Sequence, residues 1–269
     1  MRRDYKLGIF SWFGFLLPLP ERLRLVKNAG FESTILWWED EIGNVPIKKN
    51  KMPSMVHDIG LNIENIHAPF NNCNDFWSDS TKSRDAVINL HVSWLEDCKN
   101  HNISTMVMHI TDGRHPPAFN RYGMEAIYKI AYAAEKLKIK VAIENTACQE
   151  YVPIVLSEIE SPYIGFCYDS SHDWLLASDK VAILKELRQR LFAVHFSDND
   201  EVDDRHWLPG EGTINWPLVG GIFPSDTYTG ALTLEVHPKA EDLLKSPEIF
   251  LTKAYERAKM VRSFISHND

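Results

Sequence analysis

Residues 140–174, KVAIENTACQEYVPIVLSEIESPYIGFCYDSSHDW, decide how this chain folds. Two short apolar runs, KVAIEN (140–145) and YIGFCYD (163–169), carry an acid at or near their ends, Glu144 and Asp169. Runs of this length, apolar on both faces, are the signature of parallel strands buried under helices. The pattern recurs outward in both directions. LGIFSW (7–12), STILWW (33–38), NIENIH (62–67) and STMVMH (104–109) precede it, and LFAVHF (191–196) and ALTLEV (231–236) follow. Helical patterns lie between the runs. Over 82–99, Val87, His91, Trp94 and Cys98 share a stripe with Ile88, Val92 and Leu95. Phe250, Ala254, Ala258, Val261 and Ile265 repeat that 3.6-residue period near the end, and 121–137 and 180–190 read similarly. Eight strand–helix repeats predict an α/β fold, a single (β/α)8 TIM barrel over residues 1–269. A doubly wound sheet is the alternative, but no G-x-G-x-x-G follows the first strand.

Composition agrees with a large folded core, with 44% hydrophobic and 25% charged residues. A net charge of −8 gives no long-range attraction for nucleic acid or anionic membrane, although a local groove can overrule it. The cysteines, at 73, 98, 148 and 167, form no C-x-x-C pair or disulfide framework, so a reducing, cytoplasmic setting is expected. The opening stretch MRRDYKLGIFSWFGFLLPLPE is broken by Ser11, Gly14, Pro18 and Pro20, and reads as a first strand and loop rather than a signal peptide. No run approaches the roughly 20 apolar residues of a membrane span.

The strand ends carry the chemistry. His67, His109, Glu144, Asp169, His195 and Glu235 lie at or near the ends of six successive strands, and the adjacent loops add His172, Asp204 and His206. In a barrel those ends converge on one face, where active sites sit. A lone histidine there is ordinarily a hydrogen-bonded structural group. An ionised carboxylate after the apolar Val-Ala-Ile needs a cation or several donors. So many ligand-type residues at one depth point to a divalent metal, with zinc, manganese, iron and cobalt all compatible. One metal site is favoured and up to three are possible. Cys167 shares the strand face of Asp169 but reads as inner packing.

At these residues the chain resembles the xylose isomerase-like superfamily of TIM barrels. The markers are IHAPF (66–70), VAIENTA (141–147), CYDSSHDW (167–174), HFSDND (195–200) and DDRHWLPGEGTINW (203–216). The resemblance to the sugar isomerase and epimerase branch implies one metal held by Glu144, Asp169, His195 and Glu235, with His172 touching substrate. Glu144 and Glu235 would then act as the catalytic pair, exchanging a proton next to a metal-polarised carbonyl. The chain is also similar to the endonuclease IV family, in which the larger set implies three zinc ions on His67, His109, Glu144, Asp169, His172, His195, Asp204, His206 and Glu235, and cleavage of a phosphodiester at an abasic site.

The loop WWEDEIG (37–43), with two tryptophans and three acids, and the loop NNCNDFWSDSTKSRD (71–85) favour a sugar or polyol over a phosphate backbone. His67, His172, Trp38 and Arg205 are the expected substrate contacts. Trp37 and Trp77 are open to either wall or packing roles, Arg114 to a phosphate or carboxylate, and His115 and His237 to supporting roles. The expected partner is a small sugar or sugar phosphate, with nucleic acid less favoured, no membrane, and a homodimer possible. The leading expectation is a metal-dependent sugar (phosphate) isomerase or epimerase, and the alternative is an abasic-site nuclease of the endonuclease IV kind.

Overall fold

The computed structural model describes residues 4–43, 45–113 and 115–265. Its eight strands are β1 (Leu7–Phe10), β2 (Ser33–Trp37), β3 (Asn62–His67), β4 (Thr105–Met108), β5 (Lys140–Glu144), β6 (Ile164–Asp169), β7 (Leu191–His195) and β8 (Leu232–Leu234). Each falls inside the run that predicts it. All pairings between these strands are parallel, in the order β7-β6-β5-β4-β3-β2-β1-β8. The ring closes between β7 and β8 by one parallel bridge, Phe196 to Leu234. There Phe196 N donates to Thr233 O at 2.9 Å and Glu235 N to Phe196 O at 3.1 Å. The fold is a TIM barrel.

Helices fill the crossovers: α1 (Leu19–Asn28), α2 (Met52–Ile59), α3 (Thr81–Asn100), α4 (Arg121–Leu137), α5 (Tyr151–Glu158), α6 (Ser170–Leu176), α7 (Ala182–Leu187), α8 (Trp216–Ile222), α9 (Ala240–Leu243) and α10 (Pro247–Ile265). Their starts follow local chemistry. Ser80 accepts from Ser83 N to cap α3, and Asn120 caps α4 through Gly123 N. The 180–190 pattern is shorter than expected. Val181 is left-handed at φ 61°, so α7 begins only at Ala182, and Arg188–Arg190 tightens into a 3₁₀ turn.

Two apolar cores result. The larger lies between strands and helices and includes the α3 stripe of Val87, Ile88, Trp94, Leu95 and Cys98. The smaller lies inside the barrel, where Val107, Ala142, Cys167 and Ala193 pack with Phe192. These inner side chains are small, so they plug the barrel below the strand ends without filling the space above. Cys167 is thus an inner packing residue, and burial pushes its thiol up to about 12. The four cysteines are unpaired. No helix among the described residues is long and apolar enough to cross a membrane.

Candidate metal centre

Strand alternation delivers the centre. β3 and β4 pair His67 with Val107, β5 and β6 pair Glu144 with Cys167, and β6 and β7 pair Asp169 with His195. Residues in register point to the same side. The face that carries the inner plug therefore carries the ligands two residues further on.

Glu144 is the hub. It is 1% exposed. Its Oε2 lies 3.2 Å from His195 Nδ1, 3.3 Å from His67 Nε2 and 3.4 Å from His109 Nε2, and its Oε1 lies 3.3 Å from His172 Nδ1. His195 Nδ1 is also 2.8 Å from Glu235 Oε2. Asp169 caps α6, accepting from His172 N at 2.7 Å with Oδ1. That leaves Oδ2 free. His67 Nδ1 lies 3.0 Å from Ala68 O, so that nitrogen donates, and Nε2 is the one turned to Glu144. On the loop side, Asp204 Oδ2 lies 3.1 Å from His172 Nε2 and 3.0 Å from His206 Nε2. His206 Nδ1 donates to Glu235 O at 3.0 Å.

The electrostatics describe a centre that wants a cation. Burial raises the cost of charge on Glu144, but His195 and His109 more than offset it and hold the carboxylate well below its usual range. Burial opposes charge on His195 as well, yet Cys167, Glu235 and Glu144 raise it well above the usual imidazole value. His206 is carried to about 10, where Asp204 overcomes burial. Glu235 falls to about 2 because His195 outweighs its burial. Asp169 rises to about 6, chiefly through burial.

Among the described residues, five sets of three or four ligand-type side chains each have their donor atoms within 4.8 Å of one another. The three that together use all nine predicted residues are Glu144, Asp169, His195 and Glu235; His67, His109 and Glu144; and His172, Asp204 and His206. Glu144 Oε2, Asp169 Oδ2, His109 Nδ1, His172 Nδ1 and both His195 nitrogens are buried with no aligned hydrogen bond. Unmatched imidazole nitrogens and carboxylate oxygens facing each other fit a borderline divalent ion such as zinc. The residues present therefore fit a metal.

The wall differs from expectation in several places. Trp38 is 1% exposed, and its indole donates to Asp97 of α3 at 2.8 Å. It faces the helix layer rather than the strand-end centre where a substrate contact is expected, because Trp37, in register with His67, takes the inner face. Trp37 lies tilted against His67 at 5.3 Å and meets Phe70 edge to face at 5.4 Å. Phe70 lies over His109 at 4.3 Å and 10°. Phe70 belongs to the IHAPF stretch, whose sequence alone does not show which ring it covers. Trp77 is buried and donates to Ile110 O at 2.6 Å. It packs so tightly on Gly123 that a Cβ there would sit 2.0 Å from its ring, so it anchors α4.

Arg205 is turned to its own loop, with Nε 3.1 Å from Asp200 and Nη1 3.3 Å from Asp203. Its cation is thereby neutralised, which counts against the expected substrate contact. The acidic mouth is likewise matched: Glu39 accepts from Trp37 Nε1, Asp40 pairs with Lys48, and Glu41 with buried Arg22. His237 stands 5.2 Å from the His206 ring, and His115 is exposed. Arg114 lies outside the described residues.

A family model for the xylose isomerase-like TIM barrel matches residues 23–254. The chain belongs to that family. A relative from Sinorhizobium fredii, described as an uncharacterized protein, is 28% identical over 103 residues, covering 36% of this chain and 33% of that protein's length. Among solved structures, an L-ribulose 3-epimerase superposes with a TM-score of 0.76 at 16% identity, over 97% of this chain and 95% of the other. The IolI protein, described with a bound zinc atom, superposes at 0.73 and 16% identity, over 98% and 99%. At such identities these structures show a shared fold.

Proposed function

We propose that this protein is a metal-dependent isomerase or epimerase of a sugar or sugar phosphate. The observation that carries the reading is the meeting of Glu144 and Glu235 on one His195 nitrogen, at 3.2 and 2.8 Å, with Asp169 completing the group. The epimerase named among the similar folds and the zinc named with IolI support it. Glu144, Asp169, His195 and Glu235 would hold the ion, which when bound supplies polarisation of a substrate carbonyl and hydroxyl.

The chain's own groups do the rest. Glu235 is the more open glutamate, 15% exposed against 1% for Glu144, and His195 keeps it ionised at neutral pH. It is suited to take a proton from carbon, while Glu144, on the same His195 nitrogen, would return one to the substrate after first taking it up from solvent. Trp37 and Phe70 supply an apolar face against which a sugar ring can lie. Incubation of zinc-, manganese- or cobalt-loaded protein with a panel of ketoses, their phosphates and polyols in deuterated water tests this. Incorporation of deuterium at a carbon next to a carbonyl is expected. No incorporation from any member of the panel overturns the reading.

A second reading has its own observation. The His172–Asp204–His206 group and the His67–His109–Glu144 group are both assembled, which a one-metal epimerase does not require. A multinuclear centre acting on a phosphoester, including an abasic site in DNA, would use all nine residues. Three zinc equivalents per chain together with nicking of an abasic duplex would replace the first reading by this one.

A further inference from the structure

Asp204 sits on the irregular loop after β7, yet its carboxylate is aimed by a chain of hydrogen bonds with a defined direction. Glu201 N donates to Asn199 Oδ1 at 2.9 Å, which fixes the amide so that Nδ2 is the other end. Asn199 Nδ2 donates to Ser171 O at 2.7 Å and Ser171 Oγ at 2.9 Å. The Ser171 hydroxyl accepts that proton and has one of its own to give. It gives it to Asp204 Oδ1 at 2.6 Å. Oδ1 is thereby occupied, and Oδ2 alone faces His172 and His206. Asn199 and Ser171 are fully buried.

The far end of the chain is equally fixed. Asn199 N donates to Asp198 Oδ1 at 3.0 Å and Asn199 O accepts from Thr213 N at 2.9 Å. Asp198 in turn holds Gly210 N, Ile214 N and Trp216 Nε1 at 2.7, 3.1 and 3.0 Å. The LPGEG–TINW segment is thus the base on which the Asn199 amide stands.

We propose that Ser171 and Asn199 are positioning residues that hold Asp204 to one ligating oxygen and so preassemble His172, Asp204 and His206 as a separate cation site. The second imidazole supports this geometry, because His206 gives Nδ1–H to Glu235 O, and that bond aims Nε2 at Asp204 Oδ2, 3.0 Å away. Hydrogen-bond partners behind a metal ligand set its orientation, and losing one costs about 10–100-fold in affinity. The proposal rests on the multinuclear reading above.

The test is equilibrium dialysis of the full chain against zinc, with metal counted per chain by mass spectrometry, for wild type, Ser171→Ala, Asn199→Asp and His206→Ala. Asn199→Asp is nearly isosteric. It would accept the Ser171 proton instead of donating, turning the hydroxyl away from Asp204. The expected result is three equivalents in wild type, one of them abolished in His206→Ala and weakened about 10–100-fold in both Ser171→Ala and Asn199→Asp. Cobalt-loaded protein should lose the d–d absorption of that one equivalent at concentrations that saturate wild type. Wild-type affinity at that equivalent in both variants overturns the positioning proposal alone, as does a parallel loss at all equivalents. Fewer than three equivalents in wild type, with His206→Ala unchanged, overturns the multinuclear reading and the proposal with it.

Discussion

The strand-end ligands and the loop ligands arrive at one centre by different physics. Glu144, Asp169 and His195 are placed by the ladder itself, since register and pleat determine which side each faces. His172, Asp204 and His206 have no ladder. Asp204 depends on Ser171, and His206 adopts a left-handed φ of 50° that a non-glycine residue avoids unless its surroundings impose it. The first group is therefore rigid by default, and the second only as good as the network behind it. Mutations should separate the two.

The largest effect is expected at Glu144, which both strand-end groups share. Glu144→Ala should weaken zinc uptake at those groups by more than the roughly 100-fold that loss of a supporting hydrogen bond brings, while the loop group keeps its ion. Metal titration reads this directly, and loss of the loop group as well would break the comparison.

A change remote from both groups should touch neither. His91 is buried on α3 against Phe76 and Trp94, and burial lowers its pKa to about 4. An unfolded histidine titrates near 6.5, so as pH falls from about 6.5 to 4 the unfolded chain binds the proton first. The stability associated with neutral His91 is whole above that window and is lost through it, by about 3 kcal/mol. Denaturant melts against pH should show this limb, and His91→Phe should flatten it without altering metal content.

Gly212→Ala aims at the loop base. A Cβ there would lie 2.0 Å from Asn199 O and 2.4 Å from Asp198 Oδ1. A cost of about 1–3 kcal/mol is expected. Zinc should weaken at the loop group and hold at the strand ends; the reverse pattern would refute the division of labour. The smallest effect on the centre is expected at Trp38→Phe. It forfeits the hydrogen bond to the Asp97 carboxylate, worth about 1.5–3 kcal/mol of stability, and should leave metal and substrate binding as they were. Trp37→Leu, by contrast, should raise KM with little change in melting temperature.

The strands were legible because buried parallel strands leave continuous apolar runs, and the ligands because acids and imidazoles stand out beside those runs. The same property hid the wall. In STILWW both faces are buried, so nothing in the run says which tryptophan turns inward. Register with His67 decides for Trp37, and register is a property of two strands. Arg205 looked available because its partners, Asp200 and Asp203, are nearby acids that sequence could equally have left in solvent. Ser171 lies in CYDSSHDW and Asn199 in HFSDND. Their task was invisible because it depends on which amide and hydroxyl atoms meet across the β6 and β7 ends.

The barrel seam carries one further implication. β7 and β8 are stitched by a single bridge at Phe196, and His195 and Glu235 stand on opposite lips of that seam, 2.8 Å apart. The least-laced joint in the ring is thus the one that the centre spans. Anything gripping both lips would act as a clasp on the whole cylinder, and anything removing it would loosen the ring there first. The amides of Phe196 and Glu235, which make the two stitches, are the natural gauge. Their exchange with solvent would report the state of the chemistry in the same motion that reports the integrity of the wall.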